Sequence, residues 1–282
     1  MAFEEAGRRA GSVPVNLVRL VVAFGFLSLA GWARRGQALP TDATAEQWRW
    51  LLWSGVIGFF VGDVTQFRAL VLIGARLTSL VTCTAPIFAM VAERWLLRSG
   101  SVGWVGVAGV VVTLAGVAWV VSERNEAHPR YVVTPWGVLL AFIGAAGQGV
   151  GVVLTRRATD VVPYDAFATG QIRMIAGIAL FAVFLALTGR TRDVIATLRN
   201  GPAMGYLSLG AFGGPFLGVT LLIMSMNHIL PSVAQTLTSL VPILIIPFAI
   251  AFRNEKVSGR AVLGSVVAVA GVWLLIRGSS GG

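Results

Sequence analysis

Charge is what this sequence has least of. Only 12% of its 282 residues are Asp, Glu, Lys or Arg, against about a quarter in an ordinary soluble domain. With 56% apolar residues, too few polar side chains exist to coat a water-facing particle, which excludes a globular enzyme of ordinary surface. Thiols are scarce as well. A single cysteine, Cys83, lies inside an apolar run and leaves neither a disulfide framework nor a cysteine metal site. The two histidines, His128 and His228, stand far apart and make no metal centre. Lysine occurs once, at Lys256, so the net charge of +10 is carried by arginines. These arginines form no long basic block and sit between apolar runs. They read as flanks facing phospholipid headgroups, and no nucleic-acid partner is expected. No nucleophile–base arrangement and no phosphate-cradling loop appears, so neither enzyme chemistry nor a cofactor is expected.

What the chain does have is long apolar runs. Nine segments, at about 13–33, 48–70, 76–97, 102–122, 134–155, 163–188, 203–226, 231–252 and 258–277, approach the roughly 20 residues that cross a hydrocarbon core of about 30 Å. An all-α polytopic membrane protein follows. The first run succeeds Arg8 and Arg9 but ends without a small-x-small cleavage site, so it reads as a retained helix. The nine tryptophans lie near segment ends and form an interfacial belt. The longest connections, 34–47 and 189–202, hold Pro, Gly, Thr and charges and are too short to fold alone. Function is therefore expected among the helices.

Sliding the chain against itself by about 155 residues exposes a duplication. Gly58-Phe59-Phe60-Val61-Gly62 falls on Gly214-Pro215-Phe216-Leu217-Gly218, Thr82 and Pro86 fall on Thr238 and Pro242, and Ala115-Gly116-Val117 matches Ala270-Gly271-Val272. The halves, 1–123 and 134–282 joined by 124–133, pair segments one to four with six to nine. Partners are five crossings apart, an odd number, so the copies must insert with opposite orientation. The fifth segment has no partner in the first half. A tenth helix preceding Met1, in a longer reading frame, is the favoured expectation; a nine-helix variant is the alternative.

An ionisable group inside a spanning segment needs a reason, since a mid-membrane arginine costs about 2.5–3.5 kcal/mol on insertion scales. Arg19 and Arg173 each lie well inside a segment and are expected to approach a central cavity from opposite faces. They can bind an anionic substrate group, or snorkel and cap neighbouring helices. Asp63 and Gln66 share a helical face. Asp63 is either a proton or amine site or half of a buried ion pair. Glu93, beside Arg94, reads as an interfacial charge. Of the intramembrane glutamines, Gln148 and Gln235 are expected to line the cavity, and Gln171 to bond between helices. Gly58, Gly62, Gly214 and Gly218 form small-residue stripes that imply helix packing. Pro86 and Pro242 read as mid-helix kinks, serving either as hinges or as static shaping of the cavity.

The stretch Ala234-Gln235-Thr236-Leu237-Thr238-Ser239-Leu240-Val241-Pro242, followed by Glu255, Gly264 and Ala270-Gly271-Val272, resembles the drug/metabolite transporter superfamily, specifically its EamA-type exporters. Pro86 and Gly116 fit the same pattern in the first copy, whereas Ser99 stands where the loop glutamate belongs. The resemblance implies two inverted halves of five helices around a central cavity in a bacterial inner membrane. It also implies export of small metabolites by a secondary transporter. The cationic interior favours amino acids, aromatic or other large apolar ones included. The alternatives are a multidrug or cationic-metabolite exporter relying on Asp63, and a non-transporting scaffold or sensor. The expected partners are a small-molecule substrate and the lipid bilayer; the oligomeric state is open, a monomer being one possibility.

Overall fold

A computed structural model describes residues 12–97, 103–123, 134–199, 201–241, 243–244 and 259–279. Among them there is no strand. The helices are α1 Ser12–Arg35, α2 Ala45–Gly55, α3 Asp63–Thr82, α4 Ala85–Leu96, α5 Trp104–Glu123 and α6 Pro135–Thr159. They continue with α7 Ala166–Leu187, α8 Thr191–Arg199, α9 Gly201–Ala211, α10 Val219–Ser225, α11 Pro231–Thr238 and α12 Gly259–Ser279. Two π-helical segments, Val56–Gly62 and Phe212–Gly218, join α2 to α3 and α9 to α10. Among the described residues, five helical stretches are long and apolar enough to cross a membrane: Val13–Arg35, Ala45–Gly74, Pro135–Thr159, Ala166–Leu187 and Met204–Ser225. Trp104–Trp119 and Val262–Gly278 are shorter apolar helices.

The chain forms two compact units, and each draws on both halves of the sequence. The first combines Met1–Val64 with Leu154–Asn227, the second Thr65–Val153 with His228–Gly282. In the first unit α1 packs on α7, its partner in the duplication. Leu27 lies beside Gly170 and Leu20 beside Gly177, so the two helices run antiparallel. Their shared core is Leu20, Ala23, Leu27, Phe59, Met174 and Phe181, joined by Ala211 and Phe216. In the second unit α5 and α12, also duplication partners, run antiparallel with their backbones nearly touching. A Cβ on Gly116 would come within 2.5 Å of Ala268 N and 2.7 Å of Gly264 O. Only glycine permits that approach.

Two irregularities recur at one spacing. The π segments lie 156 positions apart, Val56 to Phe212 and Gly62 to Gly218. The breaks after α3 and α11, at Thr82 and Thr238, keep the same offset. At both breaks hydroxyls bond back to carbonyls: Thr84 to Val81 O at 2.6 Å in the first, Thr238 to Gln235 O at 2.8 Å in the second. Such back-bonding competes with the helical ladder and bends it. Pro86 consequently stands in the first turn of a new helix, where its missing N–H costs nothing, and not in the middle of a continuous one. Pro242 lies outside the described residues. The second and third expected segments are separated by Gly74 alone, whose φ of +79° suits glycine.

The 189–202 connection contains α8. Gly189 at φ +67° ends α7, Arg190 pairs with Asp193 at 2.9 Å, and Val194 packs in a cluster with Val15, Val18 and Leu207. The apolar face of this short helix was hidden among charged neighbours.

Candidate functional site

Two intramembrane arginines of the first unit, Arg19 and Arg173, lie within reach of Asp63. This residue opens α3 directly after the first π segment. Its Oδ2 accepts from Asn16 Nδ2 at 3.0 Å and from Arg19 NH2 at 2.9 Å. Asn16 and Arg19 lie three residues apart on α1, which places both on one face. Asp63 is thus half of an ion pair with an arginine on another helix, the second of its two sequence readings. Arg173, on α7, is only 3% exposed. Its guanidinium carbon stands 4.9 Å from the centre of the Phe59 ring, a cation–π geometry. Asp63 is the acid whose field reaches it. Yet Arg173 Nε and NH1 find no hydrogen-bond partner among the described residues. Among the described residues, Arg19 and Arg173 therefore both lie in the field of the Asp63 carboxylate.

Local packing fixes this geometry. A Cβ on Gly55 would collide with the carbonyl of Arg173 and lie 2.9 Å from the Ala176 side chain, so α2 and α7 approach closely at the arginine itself. Gly177, one turn further along α7, leaves room for Phe59. More unbonded polar atoms are buried in the same unit: Asn16 Oδ1, Thr169 Oγ1 and Thr220 Oγ1. Thr169 lies one turn before Arg173 on α7, and Thr220 on α10, which packs on α7. Sequence reasoning passed over Asn16, Gly55, Thr169 and Thr220. The signal for Asn16 was its placement three residues before Arg19; small hydroxyls in apolar helices give none. Gln171, by contrast, is a tie: its Nε2 donates to Ser28 Oγ at 3.0 Å and Ala38 O at 2.7 Å.

Beside that tie, the 36–44 loop is held to the start of α7. Tyr164 donates to Asp42 Oδ1 at 2.8 Å, and Arg35 reaches the same carboxylate at 3.3 Å. The Tyr164 bond, aided by Arg35, holds Asp42 below its ordinary range. Burial, then the Asp42 bond, push Tyr164 up to about 12.

The remaining candidates fall in the second unit. Gln66 and Gln148 are half-buried on α3 and α6, and Gly144 packs against Gln66. Gln235, on α11, is 9% exposed with Oε1 unbonded among the described residues. Glu93 differs from its interfacial reading: it is 2% exposed and accepts from the backbone and hydroxyl of Ser232. The glycine stripes behave unequally. Gly58 and Gly62 are buried, whereas Gly214 and Gly218 are exposed, and a Cβ on Gly214 would meet nothing within 4 Å. The second π segment buries Pro215 and Phe216 in their place.

The EamA-like transporter family matches residues 1–122 and 135–277. The chain belongs to that family. It is a multi-pass membrane transporter, and an uncharacterized transporter of Synechocystis sp. is 26% identical over 279 residues, covering 93% of this chain and 80% of that protein. A protein of known crystal structure shares the fold of this transporter with a TM-score of 0.72 at 18% identity, over 98% of this chain and 92% of its own.

Proposed function

We propose that this transporter exports small carboxylate-bearing metabolites, amino acids first, across the bacterial inner membrane by alternating access. One observation carries the substrate class: a buried guanidinium, Arg173, with unbonded N–H groups. A carboxylate is the group that satisfies both the fork geometry and the positive charge of Arg173. The neighbouring acid does not serve in its place, because Asn16 and Arg19 already hold Asp63. For the same reason a cationic drug is disfavoured. Phe59 under the guanidinium and Phe216 in the same core favour amino acids with aromatic or large apolar side chains. The π segments and the breaks after Thr82 and Thr238 are the natural flexing points, with Pro86 in the first turn of the helix that restarts after the first break. Gln235, with its unbonded Oε1, is a candidate for substrate contact in the second unit, and Gln66 and Gln148 are weaker ones.

The test is counterflow of labelled amino acids in proteoliposomes. Native protein is expected to show saturable counterflow. Arg173→Ala should lose about 10–100-fold, the worth of charge-assisted hydrogen bonds to a ligand, and Arg173→Lys should fall between. A folded Arg173→Ala protein working at the native rate sinks the carboxylate site. Absence of counterflow with every amino acid tested sinks the substrate class.

A further inference from the structure

One buried acid lies outside the site just described. Glu93 is in the last turn of α4, and its two oxygens take the backbone N–H and the hydroxyl, at 2.7 Å, of Ser232. Ser232 is completely buried and is the second residue of α11. The residue before that helix, Leu230, has no side chain to cap it, and Pro231 has no N–H to offer. The carboxylate of α4 therefore caps α11 from outside, at the end where the helix dipole favours a negative charge.

No cation is paired with this acid among the described residues. Arg94, its neighbour on α4, is exposed. No ionisable residue occurs on α11, and His228 ahead of it is exposed. Of the helices packed on α11, α12 carries Arg260 and Arg277, both exposed, and α5 carries only Glu123 at its far end. On α6, whose Gly149 meets α4 at Ala85 and Ala89, the ionisable residues are Arg156 and Arg157. Arg156 bonds Met226 O and pairs with Asp160, and Arg157 stacks on Trp50. The duplication does not repeat the arrangement: Ala249 and Arg76 stand 156 positions from Glu93 and Ser232. Among the described residues Glu93 is one such acid, and the sequence places no acid at its duplicate position.

We propose that Glu93 is a proton-binding site and that its occupancy sets how firmly α4 holds the start of α11. A proton taken from water onto either carboxylate oxygen, and returned to water on release, converts two charge-assisted bonds into neutral ones of about half the strength. It also removes the charge that faces the helix N-terminus. Within the transporter reading this is a coupling site between proton and substrate, but the clasp itself can be measured without any substrate.

The experiment is hydrogen–deuterium exchange of the full chain in nanodiscs at a series of pH values, corrected for intrinsic exchange. Amides 232–234 should lose at least threefold protection as pH falls, and in Glu93→Gln this pH dependence should vanish. Flat protection in the native protein, or an unchanged profile in Glu93→Gln, overturns the proposal. Should Glu93→Gln fail to fold, infrared titration of the native protein and Ser232→Ala decides. Loss of one donor should move a buried-carboxyl midpoint upward by about one pH unit, and an identical spectrum in both proteins overturns the assignment. Native counterflow that fails while the exchange result stands would refute the transport reading and leave the proton site intact.

Discussion

The two compact units solve the same problem differently. Lipid is as apolar as leucine, so helices in a membrane gain little by burying apolar faces against each other and must rely on close contact or polar bonds. The second unit uses contact: glycines at 109, 116, 271 and 278 let α5 and α12 bring backbone onto backbone. Its one described buried acid caps the start of a helix. The first unit instead keeps Asn16, Arg19, Asp63 and Arg173 inside, with several polar atoms unbonded. One unit is joined by backbone contact; the other buries most of the polar atoms that find no bond among the described residues. Substitutions of equal size should therefore act on different properties in the two units.

The largest effect belongs to the glycine seam. In Gly271→Leu the new Cβ alone would lie 2.5 Å from Thr113 Oγ1 and 2.8 Å from Thr113 Cα, and backbone cannot yield as a side-chain tip can. Overpacking typically costs 1–3 kcal/mol, so a loss of about 3 kcal/mol or more is expected here. Gel filtration and thermal unfolding in detergent should show little folded protein. Gly214→Ala, on an open face of the first unit, should change stability by less than about 0.5 kcal/mol. A stable Gly271→Leu protein would remove the close-contact half of the comparison.

The Asp63 cluster comes next. Asp63→Asn removes the carboxylate that Arg19 pairs with at 2.9 Å. Removing one partner of a fully buried pair costs 3–5 kcal/mol; Arg19 keeps 20% exposure, so about 2 kcal/mol is expected. Adding Arg19→Gln should recover part of it, a coupling that a double-mutant cycle reads directly. Arg173→Met should behave in the opposite sense and hold or raise the unfolding temperature, because it removes a charge with no full partner. A strongly destabilised Arg173→Met protein would show that this arginine serves structure.

The sequence pattern made the architecture legible because it repeats. Apolar length located the segments, and the duplicated Gly58–Gly62 and Thr82 neighbourhoods marked where both π segments and both breaks occur. Their conformations were not legible. A Gly-x-x-x-Gly stripe reads as a packing face under helical periodicity, but i→i+5 bonding changes which residues face inward, and Pro215 and Phe216 were buried instead. Arg19, Asp63 and Arg173 stood out because charge in an apolar helix is conspicuous. Which acid met which arginine was not visible, since partners 44 residues apart leave no local trace. Glu93 was misread for a related reason: its neighbour Arg94 pointed to the interface, while the group that holds it is 139 residues away.

The smallest effect lies in the loop of the first unit, where Tyr164→Phe deletes only the hydroxyl that binds Asp42. Asp42 is nearly half exposed, so solvent screens the interaction and about 0.5 kcal/mol or less is expected. Its pH dependence has a definite sign. Asp42 is depressed in the folded protein, so its share of stability is present above its unfolded value and is lost as pH falls through the lower folded one. Tyr164 is raised to about 12, so its share is present below the ordinary tyrosine value and is lost as pH rises through about 12. The difference in unfolding temperature between native protein and Tyr164→Phe should therefore be flat around neutrality and shrink towards both extremes. A difference that grows in acid would mean that the tie acts through something other than the ionised carboxylate, and the loop would then depend on the Gln171 bond to Ala38.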